Sequence, residues 1–229
     1  MNYLNIKTVP FYIYGAVMNQ LFKISFLVFI VINTINAQSF KVEIKNPSKF
    51  TFSDKIDGNQ ITFASSTPLE DFTGSANSIS GDVSFNQTDF SKSLKGTFIV
   101  KVNSINTGIG LRNKHLRSKD WLDEQKFPDI TFVLNSINDL KQISDNKLSF
   151  KAIGNFTLRG KQKEITAEVE SVLLAENEQT KKRAPGDLFG LTAKFVINLS
   201  DFGVNNNLVG NKVAEKIEVN INLIGSNKL

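Results

Sequence analysis

From residue 60 onward, most of the chain alternates apolar and polar positions with a period of two, the signature of strands with one buried and one wet face. Ile61, Phe63 and Ser65 alternate with polar or small neighbours, and Phe72 leads into Ile79, Gly81, Val83 and Phe85. Further runs follow at Phe98–Val102, Ile130–Leu134, Leu148–Leu158, Ile165–Val169, Phe189–Leu199 and Ile217–Leu223. Turn-rich stretches separate them: residues 86–93, Ser144–Lys147, Arg159–Lys161 and the polar loop 176–187. Gly154 is expected to mark a bulge. About eight period-two strands joined by short turns predict an all-β fold: one antiparallel barrel, closed so that no sticky edge remains. In phase with the apolar side of their strands, Phe98, Phe132, Phe150, Phe156 and Phe195 are expected to point inward. An interior so continuously apolar fits a ligand tunnel and a filled core alike.

One stretch breaks the pattern. Between Thr107 and Pro128 the spacing is helical, with Leu111, His115, Ser118 and Leu122 on one face and Arg112, Lys114, Arg117, Lys119 and Asp123 on the others. A short helical insert over residues 109–124 is therefore expected to sit over a barrel mouth. The only histidine, His115, and the only tryptophan, Trp121, both lie in it. Its basic cluster reads either as a solvated face balanced by Asp120, Asp123 and Glu124, or as a contact for an anionic head group or a membrane surface.

The first 37 residues differ from the rest. The apolar run Ile24–Ile32 behind Lys23, then the small-ended Asn33–Ala37, has the layout of a secretory signal peptide cleaved after Ala37. Met18 is a second candidate start. The run falls short of the ~20 residues that span a bilayer. Two domains of function follow: a leader over 1–37 and a barrel over 38–229, periplasmic or secreted. Of 27 basic residues two lie in the leader, leaving 25 against 22 acidic, a net of +3. With basic residues scattered among acids, nothing suggests nucleic acid as a partner.

Candidate chemistry is sparse. There is no cysteine, which excludes disulfides, thiolate metal sites and a cysteine nucleophile. A single histidine is poor in zinc ligands, and no Gly-x-Ser-x-Gly elbow or phosphate-cradling loop is present. Glu70 and Asp71 are adjacent, so on a strand their side chains diverge. No cofactor or metal is expected, and no catalytic residue.

Three blocks resemble the YceI-like family. They are Thr67–Ala76 with Ile79–Phe85, then Arg112–Asp123 with Lys126–Phe132, and Gly154–Gly160, in family order across roughly residues 50–225. The resemblance implies a secreted, extended lipocalin-like barrel that binds a long polyisoprenoid, and it favours a cavity over a filled core. It makes the expected function sequestration or transport of an isoprenoid lipid, without catalysis. Ligand contacts are then expected from Phe72, Phe98, Val100, Leu111, His115, Leu116, Arg117, Trp121, Phe132, Phe150, Phe156 and Phe195. The alternatives are an enzyme acting on such a lipid, with His115 as acid or base, and a filled-core envelope module. Peripheral membrane contact and a homodimer are further expectations. Asn113, where the family commonly has an acidic residue, and Trp121, where it has Phe, put head-group preference in question.

Overall fold

The computed structural model describes residues 38–44 and 48–229. The predicted leader lies outside the described residues. Ten strands form among them: β1 (Ser48–Ser53), β2 (Gln60–Ser66), β3 (Asp71–Ala76), β4 (Ile79–Phe85), β5 (Lys95–Lys101), β6 (Asp129–Ser144), β7 (Lys147–Leu158), β8 (Lys161–Leu174), β9 (Leu188–Asn198) and β10 (Lys216–Ser226). All neighbours pair antiparallel in the order β1-β4-β5-β6-β7-β8-β9-β10-β2-β3, and β1 also meets β10. That last pairing closes a ring of eight.

The ten strands and the expected eight are reconciled at β10. One edge of β10 is shared: its end pairs with β1 (Thr51 opposite Ser226), and its earlier part pairs with β2 (Val219 opposite Phe63). β1 and β2 therefore follow one path along β10, interrupted by the turn at residues 54–59, where Asn59 donates to the Ile224 carbonyl and accepts from its amide. β3 and β4 form the matching broken path. Reading Phe72 through Phe85 as one run merged two strands, and β1 went unread because only Phe50 and Phe52 alternate between polar neighbours.

Strand directions sort the connections into two ends. At one end lie residues 38–44, the helix α1 (Phe90–Ser93), the β6–β7 turn and the 175–187 loop; at the other lie the β2–β3 turn, the helix α2 (Gly110–Arg117) with its following turns, and residues 199–215. The first end is sealed. Phe40, Phe50, Phe85, Phe90 and Phe189 pack there, all buried, with paired ring centroids 5.0–5.9 Å apart, mostly tilted or edge-on. Phe40 arrives from the segment before β1, held by Lys41 N–H to the Asp145 carbonyl and by Gln87 Nε2 to the Val42 carbonyl.

Two local expectations are corrected. The bulge lies on β6, where the register shifts between Leu134 and Ser136 opposite Gly154, and not on Gly154's own strand. Gly154 instead gives room to the Phe132 ring, which would stand 2.4 Å from any Cβ placed there. Gly81 gives room to Phe98 in the same way, at 2.5 Å. The helix is also shorter than expected. It stops at Arg117 because Ser118 is extended, and the Ser118 carbonyl accepts from Trp121 and Asp123 in tight turns. Leu122 thus belongs to a turn, and the face drawn through Leu111, His115, Ser118 and Leu122 does not exist: Leu111 and His115 are exposed, and Leu116 is the residue turned inward.

Candidate functional site: a lipophilic barrel cavity

Inside the ring, above the aromatic plug, lies a cavity of about 220 Å³. Its wall runs from Val83, Phe150 and Phe189 at the plug to Leu116, Trp121 and Val213 at the far end. Along β9 the wall continues from Phe189 to Leu199, roughly 33 Å of strand, or about 25 Å along an axis tilted by about 40°. The space is long and narrow. Lys95 and Thr131 are the only polar side chains among the lining residues; the rest are apolar or glycine.

Side-chain size explains why space is left at mid-barrel. Ala152 on β7 stands opposite Ala167 on β8, and Ala193 on β9 stands opposite Val169. Three neighbouring strands therefore present methyl groups inward at adjacent levels, where larger residues would meet across the axis. Toward the sealed end β9 turns Phe189 inward instead, and there it packs against the rings of Phe50 and Phe85.

Of the sequence-nominated contacts, Phe72, Phe98, Val100, Leu116, Trp121, Phe132, Phe150, Phe156 and Phe195 line the cavity, including all five phenylalanines placed inward by phase. Leu111, His115 and Arg117 do not. Their placement follows from the short helix: one turn of α2 turns Leu116 inward, which sends Leu111 and His115 to solvent. Arg117 is spent locally, donating from Nη2 to the Ile105 carbonyl at 3.0 Å, with Nε buried and without a partner among the described residues. Residues not expected as ligand contacts, among them Phe63, Ile105, Leu122 and the three alanines, complete the wall. Inward alternation marked the alanines' positions, but alanine reads as a neutral core residue until its opposite neighbour is known.

Arg112 closes the mouth's flank. Its guanidinium lies 4.4 Å from the Phe72 ring centroid and pairs with Glu70 of the β2–β3 turn. The cluster's counter-charge is thus Glu70, in place of the expected Asp120, Asp123 and Glu124. Asn113 joins the same region: its Oδ1 accepts from both the amide and the hydroxyl of Thr107, fixing the entry to the helix. On the free edge of β3, Ser75 and Asn106 exchange backbone bonds of 2.8 Å, so the segment before α2 extends the wall. Among the described residues no three acidic or histidine side chains converge as a metal set, and no helix is long and apolar enough to cross a membrane.

Known proteins share this architecture. The barrel superposes on BcnA of Burkholderia cenocepacia with a TM-score of 0.58 at 19% identity, covering 74% of this chain and 97% of that one. A structure described as a polyisoprenoid binding domain from Saccharophagus degradans matches with a TM-score of 0.56 at 14% identity, over 79% and 99% of the two chains. In sequence, a UPF0312 protein of Yersinia enterocolitica is 30% identical over 135 residues, 59% of this chain and 64% of the relative. A UPF0312 protein of Vibrio vulnificus is 31% identical over 131 residues, 57% and 64%. The chain thus matches somewhat less than two thirds of these relatives' length. The model of the YceI-like domain matches residues 54–224, which takes in the cavity wall from β2 to β10, and the chain belongs to the YceI-like family.

Proposed function

We propose that this protein binds a long isoprenoid lipid in the barrel cavity, sheltering it from water and carrying it, without making or breaking a bond. The observation that carries the reading is the cavity: narrow, running most of the barrel's length, and apolar along nearly all of its wall. A flexible hydrocarbon fills such a space one methylene at a time, each buried CH₂ contributing about 0.8 kcal/mol before ordering costs. A compact polar ligand would strand its hydrogen-bonding groups there. The Saccharophagus domain, described as polyisoprenoid binding, shares the fold.

Neither alternative is favoured by the geometry. His115 is exposed and outside the cavity wall, and among the described residues no acid or nucleophile bonds its side chain, so the geometry gives a reaction on a cavity-bound lipid no support there. A filled core conflicts with the alanine-lined space. We further propose export: cleavage after Ala37 would leave Gln38 at the start, two residues before the plug residue Phe40. Intact mass of the exported protein tests this, and residues 18–37 retained on it would refute it.

Organic extraction of the purified protein followed by mass spectrometry tests the lipid. The wild type should release an isoprenoid. Ala167→Phe with Ala193→Phe should fold and release none, because the added rings occupy the mid-barrel space. A clean extract from the wild type, or full loading of the filled variant, would sink the proposal.

A further inference from the structure

We propose that the open end of the barrel docks on an anionic bilayer, with α2 and its neighbouring turns as the contact surface. This rests on the lipid-binding reading only for its purpose, since a hydrocarbon must enter from somewhere; the surface itself is argued from its own residues.

The two most exposed large apolar side chains among the described residues stand at this end, while the less exposed Ile143, Leu174 and Leu229 lie at the other. Leu69 is 77% exposed in the β2–β3 turn, and Leu111 is 65% exposed on α2 beside the exposed Ile109. Leu208 projects from the 199–215 connection. Three separate segments supply them, and the structure ties these segments together. Glu70, next to Leu69, pairs with Arg112, next to Leu111. Asn206 Nδ2 donates to the Asp120 carbonyl at 3.2 Å, and the Ala214 amide donates to Ser65 Oγ at 2.9 Å. The leucines therefore crown one rim. Among the described residues none packs on the core, so the three leucines stand open to a surface that could cover them.

Charge identifies the occupant. Residues 110–117 hold Arg112, Lys114 and Arg117 and no acid. Arg112 and Arg117 are engaged within the fold, but Lys114 and the following Lys119 are exposed, and their side chains enter no ion pair among the described residues. Lys212, equally free, follows Leu208. Of the acids in the next turns only Asp120 is exposed. Apolar tips flanked by unpaired ammonium groups match a surface of acyl chains under anionic head groups, where each lysine contributes about 1 kcal/mol. The same helix sends Leu116 into the cavity wall, so a docked α2 places the mouth of the barrel at the depth where a membrane lipid could cross into it.

The chain has no cysteine, so a single introduced one carries a unique label. Leu111→Cys bearing an environment-sensitive fluorophore reports the open end, and Leu174→Cys, exposed at the sealed end, reports the other. With vesicles of phosphatidylglycerol, emission should rise and shift to the blue at 111 and hold steady at 174; with phosphatidylcholine vesicles the response should be weak. Adding Lys114→Gln and Lys119→Gln should lower partitioning about 25-fold, about fivefold for each lost cation. No response at 111, an equal response at 174, or an equal response on neutral vesicles would overturn the proposal. None of these readings needs lipid in the barrel. A lipid-free extract from the wild type defeats the binding reading alone, and a silent label at 111 defeats this one alone.

Discussion

The two ends of this barrel are built from the same residue type to opposite effect. At the sealed end, phenylalanines from β1, β4, α1, β9 and the segment before β1 face one another and interlock edge to face, excluding solvent and ligand alike. Toward the open end, Phe98 and Phe132 turn sideways over Gly81 and Gly154, and alanines stand between the remaining rings, so the aromatic surface lines a space it does not fill. A Phe-rich interior is therefore neither a core nor a tunnel by composition. What decides is the partner each ring meets: another ring closes the barrel, while a glycine or an alanine keeps it open.

Four measurements test whether the two ends differ in this way. The largest effect is expected at the plug. Phe189→Ala removes a fully buried ring that touches three others and should cost about 3–5 kcal/mol in urea unfolding. Phe195→Ala, on the cavity wall with one recorded ring neighbour, should cost about 1–2 kcal/mol; equal losses would show that the two ends pack alike. Next, Gly154→Val should destabilise by about 1–3 kcal/mol, because its side chain must displace the Phe132 ring. The displaced ring has the cavity to move into, so lipid content should fall as well. Unchanged loading would place the ring elsewhere.

A smaller change is expected at the mouth. Glu70→Gln weakens the Glu70–Arg112 pair, which is partly solvent-exposed, and should cost only about 0.2–1 kcal/mol. Exchange of a fluorescent lipid should nevertheless quicken, since that pair joins α2 to the β2–β3 turn; an unaltered exchange rate would remove the pair from any role at the mouth. The smallest effect is at the sealed end's rim. Hydrogen bonds from Lys228 and from the Gly186 amide hold the Glu176 carboxyl below its ordinary pKa. A carboxylate lowered in the fold stabilises it above the ordinary carboxylate range and stops doing so as pH falls below that range. Hydrogen exchange at Gly186 should therefore quicken in acid, relative to its intrinsic rate, while amides of β7 stay protected. Acid-insensitive protection at Gly186 would separate the clasp from this titration.

Strands whose alternation runs long were legible from residue types alone, and with them the inward phase of Phe98, Phe132, Phe150, Phe156 and Phe195. The breaks in β1–β2 and β3–β4 were not, because only the pairing of β1 and β2 with β10, and of β4 and β3 with β1 and β2, shows that two short strands continue one path. Nor was the helix's inward face. A helical wheel assigned it from Leu111 to Leu122, but a chain that turns at Ser118 has too few residues for the wheel to hold, and Leu116 took the position. The ion partner of Arg112 was also out of reach, since Glu70 lies in a hairpin far back along the chain. Local pattern reports a residue's face; only the fold reports its opposite number.

Closure of the ring joins the beginning of the described chain to its end. Thr51 pairs with Ser226, and Phe40 rests on Phe189. The first contact needs the last strand, β10, and the second needs β9, so most of the polypeptide must be held in order before the seam can zip and the floor can be stoppered. Such long-range contacts are entropically late and make folding slow. Until the seam forms, β10 offers its bare edge to any passing strand, the state in which β proteins aggregate. Phe40 stands near the start of the described chain and must wait for about 150 further residues before Phe189 can meet it.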